Sequence, residues 1–147
     1  MRPKLAGVLE TALYVDAMPR ARDFYEDVLG LAPVFIDDRL TAYAVAPRSM
    51  LLLFRRGSTT ETAVLPGGTI PPHDGAGPLH MALSVAAEDL SGWEAWLATR
   101  GIAIEGRTSW PRGGRSVYFR DPDGHLLEFA TPGIWPGDRL PSDGAAG

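Results

Sequence analysis

The stretch Leu9-Glu10-Thr11-Ala12-Leu13-Tyr14-Val15 decides the fold, because it returns 70 residues later as Leu79-His80-Met81-Ala82-Leu83-Ser84-Val85. Leu, Ala, Leu and Val recur in place, and the second position holds a potential metal ligand in both copies, first a carboxylate and then an imidazole. Such a repeat is the signature of a duplicated structural unit. An ionisable residue at the same inward position in both copies predicts a site on a pseudo-twofold axis.

Each copy reads as a β-strand that leads into a helix and three further strands. In the first half the spacing predicts a helix over Ala21–Leu29 that stops at Gly30, and strands around Ala32–Ile36, Leu40–Val45 and Met50–Phe54. In the second half it predicts a helix with Leu90, Trp93 and Leu97 on its buried face, and strands at Ile102–Glu105, Ser116–Arg120 and Leu126–Ala130. The prediction is an α+β fold of two βαβββ modules that form a curved mixed-sheet cradle.

The 147 residues are expected to form a single domain, 1–147, with an internal connection and a tail. Module 1 spans about 7–54 and module 2 about 79–132. Residues 55–78 carry many Gly and Pro and are interpreted as an unstructured linker, or as a lid with His73 near its end. The polar segment 136–147 is predicted to be a disordered tail.

Composition excludes several classes of function. The chain has 14 Lys or Arg against 18 Asp or Glu, a net charge of −4, and no basic stripe, so nucleic-acid binding is not expected. It has no cysteine, so a metal would have to be held by imidazole and oxygen ligands. No signal peptide and no run approaching the roughly 18 apolar residues of a membrane span are found. A cytoplasmic protein without membrane contact is therefore predicted.

The two faces of the predicted strands differ in polarity. One face is uniformly apolar and is expected to meet the helices. The other face mixes polar and apolar groups and is predicted to line a ligand cradle. The polar positions on that second face are Glu10, Tyr14, His80, Ser84, Ser116, Tyr118 and Glu128.

Four phrases of the sequence resemble the vicinal oxygen chelate superfamily, which comprises glyoxalases, bleomycin resistance proteins and extradiol dioxygenases. They are the two copies of the repeat, Arg22-Asp23-Phe24-Tyr25-Glu26-Asp27-Val28-Leu29-Gly30-Leu31, and Tyr118-Phe119-Arg120-Asp121-Pro122-Asp123-Gly124-His125-Leu126-Leu127-Glu128. Together they span about residues 7–132. The helix phrase and the Asp-Pro-Asp-Gly turn before a Glu are specific for the superfamily, but weak for any one activity within it.

The resemblance implies a divalent metal ion held by Glu10, His80 and Glu128. Many members of the superfamily have a further ligand in the fourth strand, where this chain has Leu52 or Leu53. This departure counts against a glyoxalase I with four protein ligands. One imidazole with two carboxylates suits Fe, Mn, Co, Ni or Zn, and three protein ligands leave open positions for substrate.

The resemblance also implies that Tyr118 is a candidate catalytic residue, because ring-cleaving dioxygenases carry a substrate-binding tyrosine ten residues before the Glu ligand. A strand tyrosine with no catalytic role is the alternative. Tyr14 and Ser84 are candidate substrate-binding residues that line the cradle. His73 is interpreted as a loop residue or a lid-borne acid or base, and His125, next to the turn, as an exposed residue.

These residues predict a metal-dependent enzyme that acts on a small molecule with two adjacent oxygens, with dioxygenase-type chemistry favoured. The alternatives are a glyoxalase-like lyase or isomerase, and a metal-free binding protein of the bleomycin resistance type. Fosfomycin modification is disfavoured, because no cluster of basic residues is predicted on the concave face. A homodimer is expected, and two arrangements stay open: a site within one chain, or a swapped dimer in which Glu10 comes from one chain and His80 with Glu128 from the other.

Overall fold

A computed structural model of the chain describes residues 1–141. It divides into two compact units, Met1–Gly77 and the residues from Pro78 onward. Among residues 1–141, no helix is long and apolar enough to cross a membrane. The cytoplasmic location stays a prediction.

The first unit has one helical segment and a four-stranded mixed sheet. Strand β1 (Glu10–Val15) is followed by α1 (Met18–Asp23), which runs on as a π-helix over Phe24–Val28 and ends at Gly30, whose φ is 73°. Strands β2 (Pro33–Ile36), β3 (Leu40–Ala46) and β4 (Ser49–Arg55) complete the sheet, in the order β1-β4-β3-β2 with β1 parallel to β4. The helix packs on β3 and β4, where Tyr25 stacks on the buried Tyr43 with ring centroids 6.3 Å apart.

The second unit repeats this plan. Strand β7 (His80–Ser84) leads through a 3₁₀ turn, Ala87–Asp89, into α2 (Leu90–Thr99), and β8 (Gly106–Ser109), β9 (Arg115–Arg120) and β10 (Leu126–Ala130) follow. The sheet order is β7-β10-β9-β8, with β7 parallel to β10. Trp93 of α2 packs on Phe129 at 4.6 Å between ring centroids, so the helix covers the sheet face that carries Phe129. The predicted α+β fold of two βαβββ modules is confirmed.

The segment 55–78 differs from the prediction of an unstructured connection. It contains a two-stranded hairpin of β5 (Ala63–Leu65) and β6 (Gly68–Ile70), with Ala63 opposite Ile70. Some of the Gly and Pro residues that indicate a loop here form the turn of the hairpin, at Pro66-Gly67. Gly68, which follows this turn, has a φ of 148° that few other residue types adopt.

Two further boundaries differ from the predictions. The strand expected at Ile102–Glu105 lies at Gly106–Ser109, because the N–H of Ile102 still bonds the Leu97 carbonyl of α2 at 2.9 Å. The predicted disordered tail, 136–147, is structured at its start, since the Asp138 carboxylate accepts hydrogen bonds from the N–H groups of residues 133–135. Its last part, residues 142–147, lies outside the described residues.

Candidate metal centre

Phe129 lies on one face of the second unit's sheet, and the other face of this sheet borders a cavity of about 480 Å³. Successive side chains of a strand point to opposite faces, so alternate residues of β7 and β10 line it: His80, Ala82 and Ser84 from one strand, Leu126, Glu128 and Ala130 from the other. The remaining wall comes from β9, the loop before it and the segment after β10, with Trp110, Tyr118, Thr131, Pro132, Ile134, Trp135 and Asp138. The cavity therefore combines largely apolar walls with a few polar groups.

His80 and Glu128 lie side by side in this cavity. The Nε2 atom of His80 is 3.3 Å from Oε1 of Glu128. On the other side of the imidazole ring, Nδ1 is 2.8 Å from the carbonyl oxygen of Leu126. Because a carbonyl only accepts, Nδ1 carries the hydrogen, and Nε2 of the neutral ring keeps a free lone pair beside the carboxylate.

Two further residues, which the sequence does not predict as part of a metal site, fix the Glu128 carboxylate through hydrogen bonds on the side away from His80. The Ser116 hydroxyl donates to Oε2 of Glu128 at 2.6 Å, and the indole Nε1–H of Trp110 donates to the Ser116 hydroxyl at 2.9 Å. Ser116 is 1% exposed and Glu128 is 8% exposed. This chain of hydrogen bonds fixes the carboxylate, with Oε2 occupied and Oε1 facing His80.

These two side chains fit a divalent cation. Cation–ligand distances of about 2.1 Å to each donor would place two donors 3.3 Å apart at an angle of about 100°, between the tetrahedral and octahedral values. Metal-binding histidines ordinarily donate their second N–H to a backbone carbonyl or carboxylate, as His80 does to Leu126. Within residues 1–141, however, no group of three or more His, Cys, Asp or Glu side chains that could hold a metal is found. The structure thus pairs two of the three predicted ligands.

The third predicted ligand, Glu10, belongs to the first unit. It is exposed at the start of β1 and lines a separate cavity of about 430 Å³, together with Ala12, Leu52 and Phe54. Leu52 is the fourth-strand position on this face, whereas Leu53 is fully buried on the other. In register, Leu52 stands opposite Ala12 as Glu128 stands opposite Ala82, so the two units place an apolar residue and a carboxylate at equivalent points.

The other predicted site residues divide between the two units. Tyr118 stands opposite Glu128 in the β9–β10 ladder and lines the second unit's cavity, its ring centroid 6.5 Å from that of His80. Ser84 lines the same cavity and is exposed. Tyr14 is in the first unit, where its hydroxyl lies 2.7 Å from Nδ1 of His73. Only Tyr118 and Ser84 therefore share the cavity of His80 and Glu128.

His125 is buried, contrary to the expectation of an exposed turn residue. Its relative exposure is 0%, and its ring Nδ1 accepts a hydrogen bond from the backbone N–H of Leu79 at 2.9 Å. The backbone N–H of His125 donates to Oδ1 of Asp121 at 2.8 Å. It therefore anchors the start of β7 to the turn before β10, the two strands that carry His80 and Glu128. The Asp-Pro-Asp-Gly phrase indicates the turn but not the burial of the residue after it.

The fold and this site lead to a family. The profile of the Glyoxalase/Bleomycin resistance protein/Dioxygenase superfamily matches residues 7–129, and the chain belongs to this superfamily. The predicted resemblance is confirmed.

Individual relatives are of two kinds. The chain is 29% identical over 118 residues to the metallothiol transferase FosB of Staphylococcus saprophyticus, which covers 80% of this chain and 71% of that protein. It is 30% identical over 127 residues to the FosB of Shouchella clausii, covering 85% of this chain and 80% of the relative. Among solved structures, a lactoylglutathione lyase from Agrobacterium tumefaciens is 30% identical, with a TM-score of 0.81 and coverage of 90% and 98%. These relatives do not support the preference for dioxygenase-type chemistry.

Proposed function

We propose that the protein is a divalent-metal-dependent enzyme that carries out a non-oxidative reaction on a small molecule with adjacent oxygens. His80 and Glu128 hold the ion in this proposal, and Glu10 stays the predicted third ligand. The observation that carries it is the 3.3 Å approach of His80 Nε2 to Glu128 Oε1, with Nδ1 and Oε2 each fixed by a further hydrogen bond. Nε2 and Oε1 are both atoms that can bind a cation, and they face each other beside a buried carboxylate whose charge a cation would compensate.

A divalent cation bound there would act as a Lewis acid that stabilises negative charge on the substrate oxygens. The chain's own residues would orient the substrate and exclude water. The Tyr118 hydroxyl is a hydrogen-bond donor on the same face, and Ser84 is a second one. Trp110, Ile134 and Trp135 supply an apolar wall. Transferase and lyase chemistry agree with the names of the relatives, whereas the dioxygenase alternative depends on the spacing of Tyr118 in this cavity.

The lining of this cavity bears on the substrate. Among the described residues that line it there is no Lys or Arg, and the only cationic candidate is His80. The acidic side chains of this lining are Glu128 and Asp138, so a bound divalent cation would supply the positive charge that a substrate oxygen meets there. This favours a substrate that binds the ion through its oxygens and contacts the apolar wall with its remaining atoms.

Metal analysis tests the proposal. Protein purified without chelators and reconstituted with Zn²⁺ or Mn²⁺ should bind the ion, and His80→Ala and Glu128→Gln should lose it. Glu105→Gln is the matched control, since Glu105 is an exposed carboxylate of the same unit that pairs with Arg120. Unchanged metal content in both ligand variants would refute the site. The Fe²⁺ form of the protein should consume no oxygen with a panel of catechols. Oxygen uptake would instead favour the dioxygenase function.

A metal-free binding protein is the second candidate, and the apolar wall of Trp110, Ile134 and Trp135 favours it. Metal-stripped protein would then bind an aromatic ligand as tightly as reconstituted protein does. Calorimetry with both forms distinguishes the candidates, because an enzyme that chelates its substrate should lose affinity when the ion is removed.

Self-association is part of the proposal. The edge strand β2 exposes Val34, Phe35 and Ile36 in succession, and an exposed apolar edge strand favours association with another chain. Light scattering should give twice the chain mass, and Phe35→Lys should lower it.

A further inference from the structure

The indole ring of Trp110 takes part in two features of the second unit. Its Nε1–H donates to the Ser116 hydroxyl at 2.9 Å, and Ser116 donates to Oε2 of Glu128 at 2.6 Å. The same side chain lines the cavity of about 480 Å³ that His80 and Glu128 also line. The group that orients a metal ligand and the group that forms part of the apolar wall are therefore one rigid ring.

The two parts of this ring have different surroundings. Ser116 is 1% exposed and Glu128 is 8% exposed, so the Nε1–H of Trp110 points into the interior of the unit. Trp110 as a whole is only half-buried. A molecule that packs against the ring in the cavity would limit its rotation about the side-chain bonds. Because the ring is rigid, this contact would also fix the direction of the N–H.

The backbone that carries Trp110 is already fixed. The N–H of Trp110 donates to the Gly114 carbonyl at 2.8 Å, and the N–H of Gly113 donates to the Trp110 carbonyl at 2.9 Å. Gly114 packs closely on the segment after β10, since a β-carbon there would lie 2.7 Å from the carbonyl carbon of Gly133 and 2.7 Å from Cγ1 of Ile134. The freedom that a ligand can remove from Trp110 is therefore that of its side chain.

Trp135 provides a comparison within the same cavity. It also lines the cavity, but it is 73% exposed, and the Asp138 carboxylate binds its backbone N–H. Among residues 1–141, no hydrogen bond of its indole N–H is found. Lining the cavity thus does not by itself connect a tryptophan to the metal ligands, and Trp110 differs in having that connection.

We propose that Trp110 couples binding of an apolar part of the substrate to binding of the metal ion. An apolar group against the ring holds the N–H on Ser116, Ser116 holds Glu128, and the oriented carboxylate binds the ion more tightly. By linkage, the ion raises the affinity for the apolar group by the same factor. Trp110 is thus a positioning residue that acts through Ser116.

This inference rests on the proposed function and adds to it a feature of the substrate. Besides the oxygens that bind the ion, the substrate carries an apolar group that reaches Trp110. A molecule that has only the oxygens would lack this contact, so it would gain nothing from the coupling.

Zn²⁺ and toluene are suitable probes, because toluene is apolar and has no atom that chelates a metal. In calorimetry of the full-length protein, buffer saturated with toluene should raise the Zn²⁺ affinity by about fivefold or more. Trp110→Phe keeps an aromatic ring but has no N–H, so it should lower the Zn²⁺ affinity by about fivefold and reduce the effect of toluene to less than about twofold. Trp135→Phe is the matched control, because it makes the same change in the same cavity, and it should retain both properties.

A double-mutant cycle tests whether Trp110 acts through Ser116. In the Ser116→Ala background the connection to Glu128 is already lost, so Trp110→Phe should change the Zn²⁺ affinity by less than about twofold. A residue that only stabilises the fold would have its full effect in either background. In ¹⁵N spectra of the wild-type protein, the indole N–H signal that Trp110→Phe removes should shift when Zn²⁺ binds, and it should shift more than the signal that Trp135→Phe removes.

The outcomes separate this inference from the metal centre itself. The coupling is overturned if toluene leaves the Zn²⁺ affinity of the wild-type protein unchanged, if Trp110→Phe binds the ion as Trp135→Phe does, or if the effects of Trp110→Phe and Ser116→Ala are additive. In these cases the wild-type protein still binds Zn²⁺, and the proposed metal centre stands. A wild-type protein that binds no Zn²⁺ overturns the metal centre and the coupling together.

Discussion

Ser116→Ala is the most informative perturbation of the candidate metal centre, because it leaves both paired ligands in place. The substitution removes the hydroxyl that donates to Oε2 of Glu128 at 2.6 Å and that accepts the Trp110 N–H at 2.9 Å. Because Ser116 is almost fully buried, water cannot easily replace the lost hydroxyl. Glu128 would then be free to rotate away from His80.

The expected magnitude follows from the geometry. A short, buried hydrogen bond to a carboxylate contributes about 1.5–3 kcal/mol. If Glu128 loses this orienting hydrogen bond, the same free energy corresponds to a loss of about 10- to 100-fold in metal affinity. This is the range found for other residues that orient metal ligands. The free energy of unfolding of the metal-free protein should also fall by about 1–3 kcal/mol, so the protein should unfold at a lower urea concentration.

The assay is competition for Zn²⁺ between the protein and a chromophoric chelator, together with urea unfolding of the metal-free form. Ser84→Ala is the matched control, because it removes the same hydroxyl from an exposed position that lines the same cavity. Ser116→Ala should lose affinity and stability while the control keeps both. Equal affinities for the two variants would show that Glu128 is not oriented by Ser116, and the argument for a preorganised ligand would fall.

Three other predictions concern stability. Gly75→Ala should cost about 1–3 kcal/mol in urea unfolding and separate the Tyr14 hydroxyl from its partner, because a β-carbon there would overlap the Tyr14 ring; unchanged stability would contradict the close packing. Burial raises the pKa of Tyr43, so its contribution to stability is complete below about pH 10 and is lost as the pH rises further; Tyr43→Phe should flatten the alkaline fall of the unfolding free energy, and an identical pH profile would exclude this residue as its cause. Hydrogen bonds from backbone N–H groups lower the pKa of Asp138, so its contribution is present above about pH 4 and is lost in acid; Asp138→Ala should speed amide hydrogen exchange at residues 133–135, and unaltered exchange would contradict the anchoring role.

Periodicity was sufficient to predict most strands. Alternation in the two copies of the repeat located β1 and β7, and the Asp-Pro-Asp-Gly turn located β10. The same alternation placed His80 and Glu128 on one face, where the structure brings them within 3.3 Å. These successes concern patterns with a fixed local period, which survive in the sequence whatever the tertiary contacts are.

Contacts between distant residues left no such pattern. Ser116 and Glu128 are 12 residues apart, and nothing local distinguishes this serine from an exposed strand residue. His125 is buried and accepts the backbone N–H of Leu79, which is 46 residues away in the sequence. The hairpin of 63–70 was missed because its two apolar triplets are short and lie among Gly and Pro residues that usually indicate loops. Hydrogen bonds between distant residues decided the cases of Ser116 and His125, whereas the hairpin was hidden by its local composition.

The equivalent register of Leu52 and Glu128 has an evolutionary consequence. The two units oppose these residues to Ala12 and Ala82, so equivalent positions of the repeated plan now carry side chains of opposite polarity. Divergence of the copies could thus separate two tasks, with a charged donor kept in one half and an apolar surface in the other. A Leu52→Glu variant would reverse that division by a single substitution, and would show whether the duplicated scaffold still tolerates the symmetric arrangement.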